Sequence, residues 1–168
     1  LERFGVYRVL RALYDGYLRD WLPRKVGVYN GVPVRDRALL DFTDERPEYE
    51  EALVSATRQK VQTGDRVVIV GGGKGVSTVR AACATGPTGS VWSFEGGEER
   101  FEKLSETIRI NCTGNWVSTR NAVVGSGIDI YGETVALEVI APSMLPDCDV
   151  LILDCEGAEI EIIDGMEQ

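Results

Sequence analysis

Apolar residues recur along this chain in three distinct rhythms, and each rhythm predicts a different kind of element. Over residues 1–22, Phe4, Val9, Leu10, Leu13, Tyr17, Leu18, Trp21 and Leu22 return every three or four positions, the period of an amphipathic helix, and Pro23 ends it. Residues 26–29 and 32–34 flank Asn30-Gly31, a strong signal for a tight β-hairpin. A second helix is predicted from Pro47, which suits a first helical position, to Gln62, with Gly64 just beyond.

From Arg66 onward the pattern changes. Residues 67–70, Val-Val-Ile-Val, form an unbroken apolar run of the kind found in strands covered on both faces. A glycine loop, a helix over 76–85 and the turn 86–89 lead to a second strand at 90–94. A helix over 98–111, a third strand at 117–124, a loop or short hairpin at 125–132, a short strand at 134–140, an apolar strand at 150–154 and a helix over 158–165 follow. Strands alternating with helices imply parallel pairing through helical crossovers. The fold class expected is therefore α/β, a doubly wound, mainly parallel sheet in the strand order third, second, first, fourth. Residues 66–168 would form it and residues 1–65 would be a helix-and-hairpin extension. A complete sheet of this type would carry about three more strands. Either the native chain continues, or the open edge of the fourth strand is buried in a homo-oligomer or against the N-terminal helix.

Charge narrows the function. The 168 residues carry 27 acids and 18 Lys plus Arg, a net −9, with no His. Only Lys25, Lys60, Lys74 and Lys103 are lysines. Such a balance disfavours nucleic acid, whose binding draws on cations that neutralise phosphates, and an acid-rich, lysine-poor surface resembles proteins of salt-loving organisms. No apolar run is long enough to span a bilayer and these residues show no signal-peptide pattern, so the expected location is the cytoplasm. Cys83, Cys112, Cys148 and Cys155 show no metal-binding spacing and read as small buried apolar residues.

The candidate chemistry lies in Gly71-Gly72-Gly73-Lys74-Gly75, placed between the first buried strand and its helix. Glycines there permit positive φ and close approach of a ligand to the backbone. A phosphate-binding P-loop needs Ser or Thr after the lysine, and Gly75 stands there instead. The dinucleotide pattern G-x-G-x-x-G fails at Val76, which weakens an NAD-dependent oxidoreductase, one of two rival readings. G-x-G-x-G fits through Gly71, Gly73 and Gly75, and Glu95 closes the next strand, where a carboxylate can accept hydrogen bonds from both ribose hydroxyls. Lys74 reads as a solvated loop charge.

That arrangement resembles the cofactor loop of class I S-adenosylmethionine methyltransferases. The run Asp154-Cys155-Glu156-Gly157-Ala158-Glu159, continuing to Gly165, is similar to the D-x-E-G-x-E…G signature of the FkbM-type family, as are Phe94-Glu95 and Asn121-Ala122. The resemblance covers roughly residues 66–166. It implies a Rossmann-like methyltransferase fold and S-adenosylmethionine as cofactor. Gly71, Gly73 and Gly75 would line its methionine and ribose, Glu95 would hold the ribose, and Asn121 and Ala122 would lie beside the adenine. Asp154 and Glu156 would face the reacting methyl and act as bases toward the hydroxyl of a small-molecule, sugar or lipid acceptor. One departure stands out: relatives carry an acid two residues before the first glycine, and this chain has Ile69. That departure favours the second rival reading, a non-catalytic protein that kept the fold.

The charge pattern yields a direct expectation. If the surface is adapted to salt, the melting temperature rises between low salt and about 2 M potassium chloride, as screening relieves carboxylate repulsion. A flat or falling melting curve would reject salt adaptation.

Overall fold

The computed structural model describes residues 2–19, 21–125, 138–155 and 157–166. At its centre is a four-stranded parallel sheet built from β4 (Arg66–Val70), β5 (Ser90–Glu95), β6 (Val117–Asn121) and β9 (Val150–Leu153). The order is β6-β5-β4-β9, the order expected from the sequence. Ile69 pairs with Ser93 on one side and Ile152 on the other, so β4 is central. Its side chains alternate between two cores. Val67 and Ile69 pack with Val76, Val79, Leu104 and Ile108 from α3 (Val76–Thr85) and α4 (Glu98–Ile110). Val68 and Val70 pack with Phe94, Ala122 and Ile162 from α5 (Glu159–Met166). Helices therefore cover both faces, which is why residues 67–70 of β4 are apolar at every position rather than at alternate ones.

The N-terminal segment packs onto the first of these cores. β1 (Lys25–Tyr29) and β2 (Val32–Arg37) pair antiparallel through the Asn30–Gly31 turn, in which both residues take positive φ as a two-residue hairpin requires. Unforeseen from the sequence is β3 (Glu45–Arg46), parallel to β1. Tyr29, Val32 and Val34 share the core with Val54 of α2 (Glu51–Lys60), Val67 and Ile69.

The structure differs from the sequence reading at several boundaries. The first helix is α1 (Glu2–Leu13) followed by a π-helical turn at Tyr14–Leu18, and its apolar stripe is not covered by the described residues. Val9, Leu10, Leu13, Tyr17, Leu18 and Trp21 are exposed. What docks is a narrower polar edge. The Tyr14 hydroxyl accepts from the Leu40 amide, and Arg11 and Arg19 pair with Asp41. The second helix starts at Glu51 rather than Pro47, because Glu50 adopts a left-handed conformation and turns the chain first. The third strand stops at Asn121. Val123–Val124 (β7) leaves the main sheet and pairs instead with Val139–Ile140 (β8). The rest of the expected strand at 134–140, and most of the loop before it, lie outside the described residues. Cys83 and Cys112 are exposed and Cys148 and Cys155 only partly buried, so the cysteines are not the buried apolar residues expected. No helix among the described residues is long and apolar enough to cross a membrane.

The chain runs from β4 outward through β5 and β6, then returns to the other side of β4 as β9. The reversal leaves a crevice beyond the carboxyl ends of β4 and β9, the position at which open α/β sheets bind ligands. Its width is set by Gly71. A Cβ at this residue would stand 2.0 Å from the Asp154 carbonyl oxygen, and its φ is +88°. Gly73 is the opposite case: φ is +53°, and nothing lies within 4 Å of where a Cβ would be. Gly71→Ala is therefore expected to cost about 2–5 kcal/mol, combining left-handed strain with overlap against β9. Gly73→Ala should cost only the strain, about 1–2 kcal/mol. Chemical denaturation of the two variants checks the ranking.

Candidate functional site

Every candidate site residue, apart from Glu156, lies in a described segment, and each lies at or just beyond the carboxyl end of a strand of the parallel sheet. The glycine loop leaves β4, Glu95 ends β5, Asn121 ends β6 and Asp154 follows β9. Their spacing in sequence hides a shared edge in space. Glu156 lies outside the described residues.

Glu95 is the organising group, with only 5% of its surface exposed. One carboxylate oxygen accepts from the Gly73 amide at 2.7 Å and the other from the Gly97 amide at 2.9 Å. The carboxylate thus ties the glycine loop to the residue that precedes α4, and charge-assisted bonds of this kind are roughly twice as strong as neutral ones. The carbonyl of Glu95 is held in turn by the Asn121 side-chain amide at 2.9 Å and the Ala122 backbone amide at 3.0 Å. Asn121 is half-buried at the crevice edge, whereas the Ala122 methyl packs into the second core.

The glycines divide their tasks. Gly71 lets the loop pass against β9, and the Gly71 and Gly72 amides both donate to the Phe94 carbonyl. Gly75 nestles against Leu104 and Thr107 of α4. Only Gly73 faces open space. Ile69, which stands where an acid was looked for, is fully buried in the first core.

Asp154 sits on the β9 side of the crevice, its amide donating to the Val70 carbonyl at 2.9 Å. Because α5 opens at Glu159, Asp154 is too early in the chain to cap that helix. Beside it Cys155 is a poor nucleophile, since burial first and the Glu159 charge second push its thiol up to about 11. No group of three or more metal-ligating side chains occurs among the described residues.

Lys74 departs most from the sequence reading. Rather than a solvated loop charge, its ammonium is taken up by the N-terminal segment. It pairs with Asp36, and stands 5.5 Å from the centre of the Tyr29 ring and 5.9 Å from that of Tyr49. The two rings meet edge to face at 5.0 Å, so the lysine head lies over an aromatic corner closed by a carboxylate. Burial alone would raise the Asp36 pKa, but the Lys74 hydrogen bond and the charges of Lys74 and Lys103, with the Tyr29 hydroxyl, together lower it. Next to Tyr49, the Glu50 carboxyl is pushed above the usual carboxylate range. Burial is the largest cause, opposed by a bond with Tyr49, reinforced by the charge of Asp154 and offset by that of Lys74. None of Tyr29, Asp36, Tyr49 and Glu50 was singled out in the sequence. The one available signal was the lysine itself, an unusual residue in a lysine-poor chain.

No protein-family model and no curated protein matches this sequence. Solved structures do. An S-adenosylmethionine-dependent O-methyltransferase of Thermotoga maritima is 22% identical with a TM-score of 0.52, covering 70% of this chain and 39% of its own. A precorrin-6y C5,15-methyltransferase of Geobacter metallireducens is 17% identical with a TM-score of 0.50, covering 77% and 58%. The protein aTrm5, solved with tRNALeu, is 14% identical with a TM-score of 0.54, covering 84% and 35%. The chain thus spans between about a third and three fifths of the length of these proteins. At these identities the likeness establishes the fold, the Rossmann-like α/β architecture of class I methyltransferases.

The lysine corner gives a pH-dependent expectation. Asp36→Asn should destabilise the chain by about 1–3 kcal/mol, since it leaves the partly buried ammonium without its counter-ion. Because the Asp36 pKa is depressed in the folded state, its contribution is complete above the normal carboxylate range and is lost as pH falls through the folded value. Denaturation curves of wild type and variant should therefore converge in acid. A gap that stayed constant down to pH about 2 would show that the pair contributes nothing through its charge.

Proposed function

We propose that this chain binds S-adenosylmethionine and belongs to a methyltransferase of the FkbM type that acts on a hydroxyl of a small molecule, sugar or lipid. The observation that carries this reading is the Glu95 carboxylate, buried at the end of the strand beside β4 and bonded to the amide of Gly73, the glycine of the loop with open space beside it. A carboxylate offers about four lone-pair directions, and backbone amides occupy one on each oxygen, so both ribose hydroxyls have an acceptor left. The adenine would lie along Asn121 and the strand-end backbone of Ala122. Gly71 and Gly75 would shape the loop on either side of Gly73. A dinucleotide is the poorer fit, because the loop has G-x-G-x-G spacing and helix α3 begins at Val76.

The cofactor would supply an already electrophilic sulfonium methyl, so the task left to the chain is alignment and removal of one proton. Asp154, across the crevice from Glu95, is the candidate base toward the acceptor hydroxyl, with Glu156 as the second. Although aTrm5 was solved with a tRNA, the net charge of −9 on this chain favours a small acceptor over nucleic acid. The same surface supports a cytoplasmic protein of a salt-rich cell.

The test is a thermal-shift and calorimetric comparison of S-adenosylmethionine, S-adenosylhomocysteine and NAD. The first two should bind and the third should not; binding of NAD alone would replace this reading. Glu95→Ala is expected to weaken S-adenosylmethionine binding by ~1.5–3 kcal/mol, the scale for losing a charged hydrogen-bond partner. An unchanged dissociation constant would be evidence that Glu95 only braces the loop.

A further inference from the structure

We propose that the outward apolar face formed by α1 and the loop after β2 is a dimer interface, covered by the same face of a second copy of this chain. This inference does not depend on the cofactor reading.

A helix on the surface of a globular domain turns its apolar stripe inward and its polar side to water. α1 and the π-helical turn after it are attached the other way round. Their polar edge docks: Arg11 and Arg19 pair with Asp41 at 3.5 and 3.4 Å, and the Tyr14 hydroxyl accepts from the Leu40 amide at 3.2 Å. Val9, Leu13, Tyr17 and Trp21, at four-residue steps, are left exposed, Tyr17 by 76% and Trp21 by 89%. The loop that holds the helix extends this face rather than covering it, since Leu39, Leu40 and Phe42 are exposed as well, Phe42 by 82%. At about 150–250 Å² for a large aromatic side chain and less for Val and Leu, the exposed apolar groups of residues 6–21 and 39–42 present on the order of 1,000 Å². The largest apolar patch on a monomeric protein is roughly 300–600 Å². Each partner in a stable complex contributes about 800 Å², which this face can supply.

Charge selects the occupant. Residues 1–46 hold nine Lys plus Arg against seven acids, a net +2, so the net −9 of the whole chain leaves −11 on residues 47–168. The apolar face therefore lies on a near-neutral segment of a strongly acidic molecule. Two copies that met through their acidic bodies would repel. A two-fold contact of this face with itself joins the near-neutral segments and keeps the acidic surfaces apart. An anionic lipid surface is the poorer fit. An interfacial helix offers headgroups the cations of its polar side. Here that side is turned to the domain, with Arg11 and Arg19 paired to Asp41 and Lys25 to Asp44.

The test is sedimentation of the 168-residue chain over roughly 1–100 μM, at low salt and in about 2 M potassium chloride. A monomer–dimer equilibrium is expected, and it should tighten with salt, because screening removes the repulsion between the acidic bodies. Leu13→Glu and Trp21→Ala should each weaken the dimer by about tenfold or more, the scale for losing an apolar anchor. Both side chains are exposed in the single chain, so both variants should keep the circular dichroism and melting temperature of wild type at a dilution where wild type is monomeric. A chain that stayed monomeric throughout, or a dimer that neither variant weakened, would overturn the proposal. So would flotation of a monomeric chain with phosphatidylglycerol vesicles that salt weakened and Leu13→Glu abolished, an outcome that would assign the face to a lipid surface.

Discussion

A carboxylate that is almost wholly removed from water has to be met by donors, and the way Glu95 is met sets the geometry of the whole crevice. Its two oxygens hold one amide from the loop after β4 and one from the residue that precedes α4. Leaving such a charge unsatisfied would cost several kcal/mol, so the two loops cannot shift independently. The Glu95 carbonyl is fixed by Asn121 and Ala122, which adds the end of β6 to the same network. Three strand ends are thereby locked around one residue. The fourth, β9, is set by steric contact rather than by hydrogen bonding to Glu95, through the close passage of Gly71 against Asp154.

This division explains what the sequence revealed. The parallel sheet and its strand order were legible because Val67–Val70 and Val150–Leu153 need apolar side chains on both faces, a demand that leaves an unbroken run. Asn30-Gly31 announced its turn because few other dipeptides accept two positive φ values. The glycine loop and Glu95 were legible for the same reason: each answers a local backbone requirement. What stayed hidden depends on pairs distant in sequence. Asp36, Tyr49, Glu50 and Lys74 each read as ordinary surface residues, and only tertiary packing gathers them. The start of α2 was misplaced by four residues for a related reason, since a left-handed glutamate is not a choice that local propensity would make. The apolar stripe of α1 was legible as a pattern, but the pattern does not say what covers it.

The N-terminal segment is thus more than a cover for the sheet. Its hairpin and the turn before α2 furnish the aromatic and acidic surroundings of Lys74, and they share a core with β4 and α3. Arg80 of α3 donates to the carbonyl of Asn30 at the hairpin tip, a second link between the hairpin and the helix that follows the glycine loop. A substitution in the hairpin can therefore alter the loop without touching any ligand.

The crevice also has a kinetic signature. Its β5 side joins strands whose partners lie near in sequence, and a single crossover helix brings each pair together. Its β9 side pairs Arg66 with Asp149, 83 positions apart, across most of the chain that follows the glycine loop. Closing so long a segment carries a larger entropic penalty than the short crossovers, and contacts of that range are the slow ones in folding. On that ground the seam between β4 and β9 is expected to be the last part of the sheet to zip and the first to open. Asp154 is anchored on that seam and Glu95 on the side that forms early, so a nascent chain would hold the Glu95 network before it acquired the opposing wall.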